Sequence, residues 1–240
     1  MTSAQAIIIT AMDDEMAPFL DRATDVSEPV TTGNSVQRTA RLGGHDVLLV
    51  KSGIGLVNAS SALVAAILGS EGSPVVVSAG TAGGLGPEVK VGDVVVGSEY
   101  INADADARAF GYVRGQVPQM PASYTPREAE LALLQQGHAT EALFEGARLH
   151  VGLMVSGYSF ATPEKAEALL EAFPGSQSTD MESSALAQVA HSHGLSFISV
   201  RGISDLCGAE EFTTHVDDAS DRSAAVVEAI LPALVASLEA

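Results

Sequence analysis

A chain of 240 residues with 46% hydrophobic side chains fits one α/β domain with a sizeable core and hardly fits two. Its 30 Asp and Glu against 12 Lys and Arg leave a net charge of −18, which makes nucleic acid and anionic membrane poor partners. The one cysteine, Cys207, excludes an internal disulfide framework and a multi-cysteine metal site, and no apolar run approaches the roughly 18 residues of a spanning helix. The opening residues, MTSAQAIIIT, carry no basic n-region, so the expected location is the cytoplasm.

Strand-like and helical patterns alternate along the whole chain. Residues 6–10 (AIIIT) read as a buried strand and residues 12–22 as a helix. A second strand is expected over 45–51, a helix over 56–68, and strands over 74–79 and 93–100. Pro118, Pro121 and Pro126 discourage regular structure in 101–126, which reads as a long loop. Strands follow at 148–155 and 196–203, and helices at 182–193 and 217–238. The expectation is one domain over 1–240, with a central mixed sheet flanked by helices.

Ligand groups in such folds gather where strands end. After the first strand, Asp13, Asp14 and Glu15 open a helix. They suit the helix dipole, or Glu15 points back into a cleft as a general base. After residue 79 comes Gly80-Thr-Ala-Gly-Gly-Leu-Gly86, with neither P-loop nor dinucleotide spacing. It reads either as a tight turn between strands or as a close approach of main chain to a ligand. In Asp180-Met-Glu182, Asp180 suits a helix cap, and Glu182 could accept hydrogen bonds from two neighbouring hydroxyls. The strand FISVRGISD places Arg201, Ser204 and Asp205 near its end, either as an Arg–Asp structural pair or as an oriented carboxylic acid. The six histidines (45, 138, 150, 191, 193 and 215) show no ligand spacing, so no metal site is expected. Cys207 reads as a packing residue.

Taken in order, AMDDE (11–15), KSGIG (51–55), AGTAGGL (79–85), VGDVVV (91–96), AFGY…GQVP (109–118), VSGYSF (155–160), DMES (180–183) and VRGISD (200–205) resemble the 5′-methylthioadenosine/S-adenosylhomocysteine nucleosidases. These enzymes belong to the nucleoside phosphorylase/hydrolase superfamily. The resemblance runs nearly end to end and implies the nucleoside phosphorylase-like fold, no cofactor and a homodimer. It implies that Glu15 activates water and Asp205 protonates purine N7. Met181 and Glu182 match the ribose-binding pair, and Thr81 and Gly83 the loop beside the ribose. Phe160 matches the residue stacked on adenine, and the main chain of Ala161 would bond the base edge. Arg201 and Ser204 match residues that orient the acid and base. Phe110, Tyr112 and Pro118 match a loop that closes the neighbouring subunit's site. Met12, Phe110, Pro118 and Phe212 are candidates for an apolar 5′ pocket. The chain departs from the pattern at Tyr158, where Asp is common, and at Ala161-Thr-Pro, where Ile-Asn-Gly is more usual.

The implied chemistry is coherent. Breaking an N-glycosidic bond needs an acid for the leaving base and a nucleophile on the opposite face, which two carboxylates in separate environments supply. Three rivals compete: a purine nucleoside phosphorylase, a futalosine-type hydrolase, and a nucleoside-binding protein without catalysis. Residues 11–21 hold four acids and no Lys or Arg, and 52–89 hold no basic residue, a field that suits water better than phosphate.

Overall fold

The computed structural model describes residues 2–135 and 147–238. His138 lies outside the described residues. The elements in chain order are β1 (Thr2–Ser3), β2 (Ala6–Thr10), α1 (Asp13–Arg22), β3 (Val30–Thr32), β4 (Ser35–Leu42), β5 (His45–Lys51), α2 (Leu56–Gly69), β6 (Ser70–Glu71), β7 (Val75–Gly84) and β8 (Val94–Asn102). Then come a 3₁₀ turn at Arg108–Phe110, α3 (Glu128–Gln135), β9 (Leu149–Ser156), α4 (Pro163–Ala172), β10 (Ser176–Asp180), α5 (Ser183–Ser192), β11 (Phe197–Asp205) and α6 (Ala209–Ser237).

Among the described residues the main sheet has nine strands, ordered β10-β9-β8-β11-β7-β2-β5-β4-β3. β7 also pairs antiparallel with β10, so β7, β11, β8, β9 and β10 curl into a closed ring. β2, β7 and β11 run parallel at its centre. This is the expected mixed α/β architecture.

Side chains alternate across these strands with period two and feed two apolar layers. Ile8, Val77 and Val200 face one layer with Phe19 of α1 and Val227 and Leu231 of α6. Ile7, Ile9, Val76 and Ile203 face the other, with Leu63 of α2 and Leu186 of α5. At Gly202 a Cβ would collide with the carbonyl of Ala219, so β11 lies directly on the α6 backbone. No helix among the described residues is long and apolar enough to cross a membrane.

The sequence reading needs several corrections. Residues 80–84 are neither turn nor loop: they continue β7, paired with β11 on one side and, at Gly83 and Gly84, with β10 on the other. α6 begins at Ala209, eight residues before the expected start, so the acidic segment after Asp205 is helix. The hairpin β3–β4 was not foreseen, because its strands are largely polar; its signal was Gly33-Asn34, a two-residue turn between paired Thr32 and Ser35. The helices α3 and α4 were also missed.

Candidate active site

A cavity of about 460 Å³ opens where β2, β7, β10 and β11 end. Glu15, Asp180, Glu182 and Asp205 line it, and among the described residues no Lys, Arg or His does. Of the remaining sequence candidates, Met12, Thr81, Gly83, Phe160, Ala161, Met181, Ser204 and Phe212 also line it.

Glu15 sits in the first turn of α1, and its carboxylate turns back over the helix start. One oxygen, Oε2, accepts from the amides of Ala11 (2.8 Å) and Met12 (3.2 Å). The other, Oε1, accepts from the amide and hydroxyl of Thr81 at 2.8 and 3.0 Å. The residue is 2% exposed and is held at once from the connection after β2 and from β7. Its neighbour Asp13 instead faces solvent and pairs with Lys51 at 2.6 Å. Gly80 makes room for the carboxylate: its φ is +148°, and a Cβ there would strike Glu15.

Glu182 precedes α5 without capping it. Its Oε1 accepts from the amide of Gly55 at 2.9 Å, at the start of α2. Its Oε2 lies 3.5 Å from Arg201 Nη2. Burial pushes the Glu182 carboxyl up to about 7, opposed by the Arg201 charge. Asp180 is spent on structure. Its Oδ1 accepts from Ser156 Oγ and from the amides of Glu182 and Ser183, which tethers the start of α5. Its Oδ2 meets Arg201 Nε at 3.0 Å and accepts from the Ser183 hydroxyl.

Asp205 ends β11 and is 2% exposed. Its Oδ1 accepts from the amides of Cys207 (2.7 Å) and Gly208 (3.2 Å), and its Oδ2 from Ser204 Oγ (2.8 Å). Cys207 reaches this position with φ +68°, unusual for a residue with a Cβ. Burial pushes the Asp205 carboxyl above its ordinary value, with the three hydrogen bonds opposing. The Cys207 thiol is buried, unpaired and pushed up to about 11 by burial, which fits packing rather than nucleophilic duty.

Two groups of candidates are placed elsewhere. Arg201 does not pair with Asp205. It lies behind the cavity wall, 1% exposed, between Asp180 and Glu182, and donates to Ser78 Oγ at 2.7 Å. Strict alternation would put residues 201 and 205 on one face, but the register shift between Ile203 and Asp205 breaks it and turns Asp205 to the other. Phe110, Tyr112 and Pro118 do not line this cavity, and Phe110 is 84% exposed. Sequence reasoning missed Ile54, Ala209 and Thr213 as lining residues. Ile54 lies inside the quoted KSGIG motif, while Ala209 and Thr213 depended on the early start of α6.

One wall of the cavity is the irregular segment after β9. Phe160 is exposed and edge-on to Phe212, with ring centres 5.9 Å apart, and Ala161 is buried beside it.

Residues 5–232 match the model of the Phosphorylase superfamily. The 5′-methylthioadenosine/S-adenosylhomocysteine nucleosidase of Marinomonas sp. (strain MWYL1) is 37% identical over 229 residues, covering 93% of this chain and 96% of that one. The chain belongs to this nucleosidase family, within the Phosphorylase superfamily. The nucleosidase of Geobacillus thermodenitrificans (strain NG80-2) is similar at 36% identity, over 95% of this chain and 96% of its own. The crystal structure of the Neisseria meningitidis nucleosidase in complex with methylthio-immucillin-A superposes with a TM-score of 0.86, at 32% identity and covering 95% of this chain and 98% of that one. Family membership thus agrees with the fold and with the resemblance read from the eight short motifs.

Proposed function

We propose that the protein hydrolyses the N-glycosidic bond of 5′-methylthioadenosine and S-adenosylhomocysteine in the cytoplasm, releasing adenine and the 5′-thio-ribose. The observation that carries this reading is a cavity with Glu15 and Asp205 buried on its wall and, among the described residues, no cationic side chain lining it. A phosphate would find no guanidinium or ammonium there, whereas water needs only a carboxylate.

In this mechanism Asp205 gives its proton to purine N7 as the C1′–N9 bond breaks and its electron pair moves onto the base. Ser204 and the Cys207 and Gly208 amides fix the direction of that proton. Water attacks C1′ from the opposite face, and Glu15 takes the proton that water loses. Glu182 accepts hydrogen bonds from the ribose hydroxyls and faces the cationic character that develops on the sugar. Met181 packs beside the ribose, Phe160 stacks on the adenine, and the main chain of Ala161 meets its edge. Met12, Ile54 and Phe212 give the 5′ end an apolar wall. The exposed Phe110, with Tyr112 and Pro118, reaches the site of a second copy, so the working form is a homodimer.

Adenine release from purified protein tests this reading. Turnover of methylthioadenosine is expected without phosphate, with kcat/KM above that for adenosine by about 10–200-fold, since adenosine places a hydroxyl where the wall is apolar. Sedimentation is expected to give a dimer at micromolar concentration. Phosphate-dependent turnover, or efficient cleavage of a futalosine in place of both substrates, would overturn the assignment.

A further inference from the structure

Residues 158–161 form the wall assigned to the adenine, yet they belong to no helix or strand. Among the described residues these four make one hydrogen bond, from the amide of Tyr158 to Asp104 Oδ2 at 2.6 Å. The partner is a short, charge-assisted contact from a distant part of the chain. Phe160 lies two residues beyond it.

Asp104 is itself held in place. It lies two residues after β8, where Asn102 Oδ1 accepts from the amides of Asp104 (3.0 Å) and Ala105 (3.1 Å). The next contact ties the same turn to β9, since the amide of Ala103 donates to the carbonyl of Ser156 at 2.8 Å. Lys165 of α4 places its Nζ 4.0 Å from Asp104 Oδ1. Gly157 lets the carboxylate close in: a Cβ there would stand 2.9–3.1 Å from the Asp104 oxygens and Cγ. Asn102 thus fixes the main chain of Asp104, and Lys165 approaches one carboxylate oxygen while the other accepts from the Tyr158 amide.

We infer that Asp104 is a positioning residue for base recognition: it holds the 158–161 segment so that Phe160 and the Ala161 main chain meet adenine. This rests on the proposed function. Asp104 does not line the cavity and touches no reacting atom. It also stands at the root of the arm that carries Phe110 and Tyr112, which closes on itself through the Gly115 amide and the Ala105 carbonyl at 2.9 Å. The turn that carries this carboxylate is thus also the base of that arm.

The test measures adenine affinity by calorimetry and steady-state constants for methylthioadenosine in Asp104→Ala, Asp104→Asn and Gly157→Ala. In Asp104→Ala, adenine affinity is expected to fall about tenfold or more and KM to rise in step, with kcat within about threefold and Tm little changed. Asp104→Asn keeps an acceptor for the Tyr158 amide and is expected to recover most of the loss. Gly157→Ala pushes the carboxylate away with the charge intact and is expected to repeat the loss. Unchanged adenine affinity in Asp104→Ala overturns the inference, as does a fall in Tm and kcat without a rise in KM. Wild-type protein that binds no adenine and cleaves no nucleoside would instead overturn the proposed function.

Discussion

Replacing Asp205 with Asn is expected to abolish turnover while nucleoside binding survives. An Asn side chain fits the same place: its carbonyl oxygen can accept from the Cys207 and Gly208 amides, as Oδ1 does now. Its amide nitrogen can lie against N7 but has no proton to give to a leaving base. Loss of a general acid costs about 10²–10⁴ in rate, more with a poor leaving group. Binding measured by calorimetry with methylthioadenosine separates the two effects. A variant with near-normal kcat would remove Asp205 from the mechanism.

Glu15→Gln is expected to be equally inactive, with a structural cost that Asp205→Asn lacks. Both Glu15 oxygens act as acceptors, each from two donors. An amide keeps one acceptor and turns two hydrogens toward the other pair of donors. Leaving a buried donor unsatisfied costs about 1–3 kcal/mol, so Tm is expected to fall by several degrees as activity disappears. Gly80→Ala gives a second view of the same group, since its Cβ displaces a carboxylate that is still present. Activity is expected to be lost there too. A Glu15→Gln protein with lowered Tm and normal turnover would make Glu15 a helix-start residue only.

The parts of this site legible in the sequence were those set by strand ends. Glu15, Glu182 and Asp205 each follow or end a strand, and each faces the cavity. The failures arose where tertiary pairing overrode local signals. Gly80 to Gly84 have turn composition, yet neighbours on both sides hold them as strand. Arg201 is four residues from Asp205 in sequence, but its partners, Asp180 and Glu182, come from the end of β10 and the start of α5. α6 starts early because Gly208 and Ala209 follow the left-handed Cys207, a turn no propensity scale marks. Phe110 is exposed and does not line the cavity of its own chain.

The surroundings of Glu182 make the heat resistance of the protein depend on pH. Four carboxylates line the cavity, and the buried guanidinium of Arg201 stands behind two of them. In the folded chain Glu182 holds its proton up to about 7, against an ordinary 4.5, and Asp205 is shifted the same way. Over that interval the folded form binds more protons than the unfolded chain, so unfolding releases them and becomes easier as pH rises. The contribution of Glu182 is full below about 4.5 and lost above about 7. Wild-type Tm minus that of Glu182→Gln is therefore expected to decline across this range and then level off. A flat difference would show that Glu182 titrates as it does in the unfolded chain. The share of heat resistance that depends on Glu182 is then largest in mild acid, on the acid side of the interval in which this carboxyl acquires its charge.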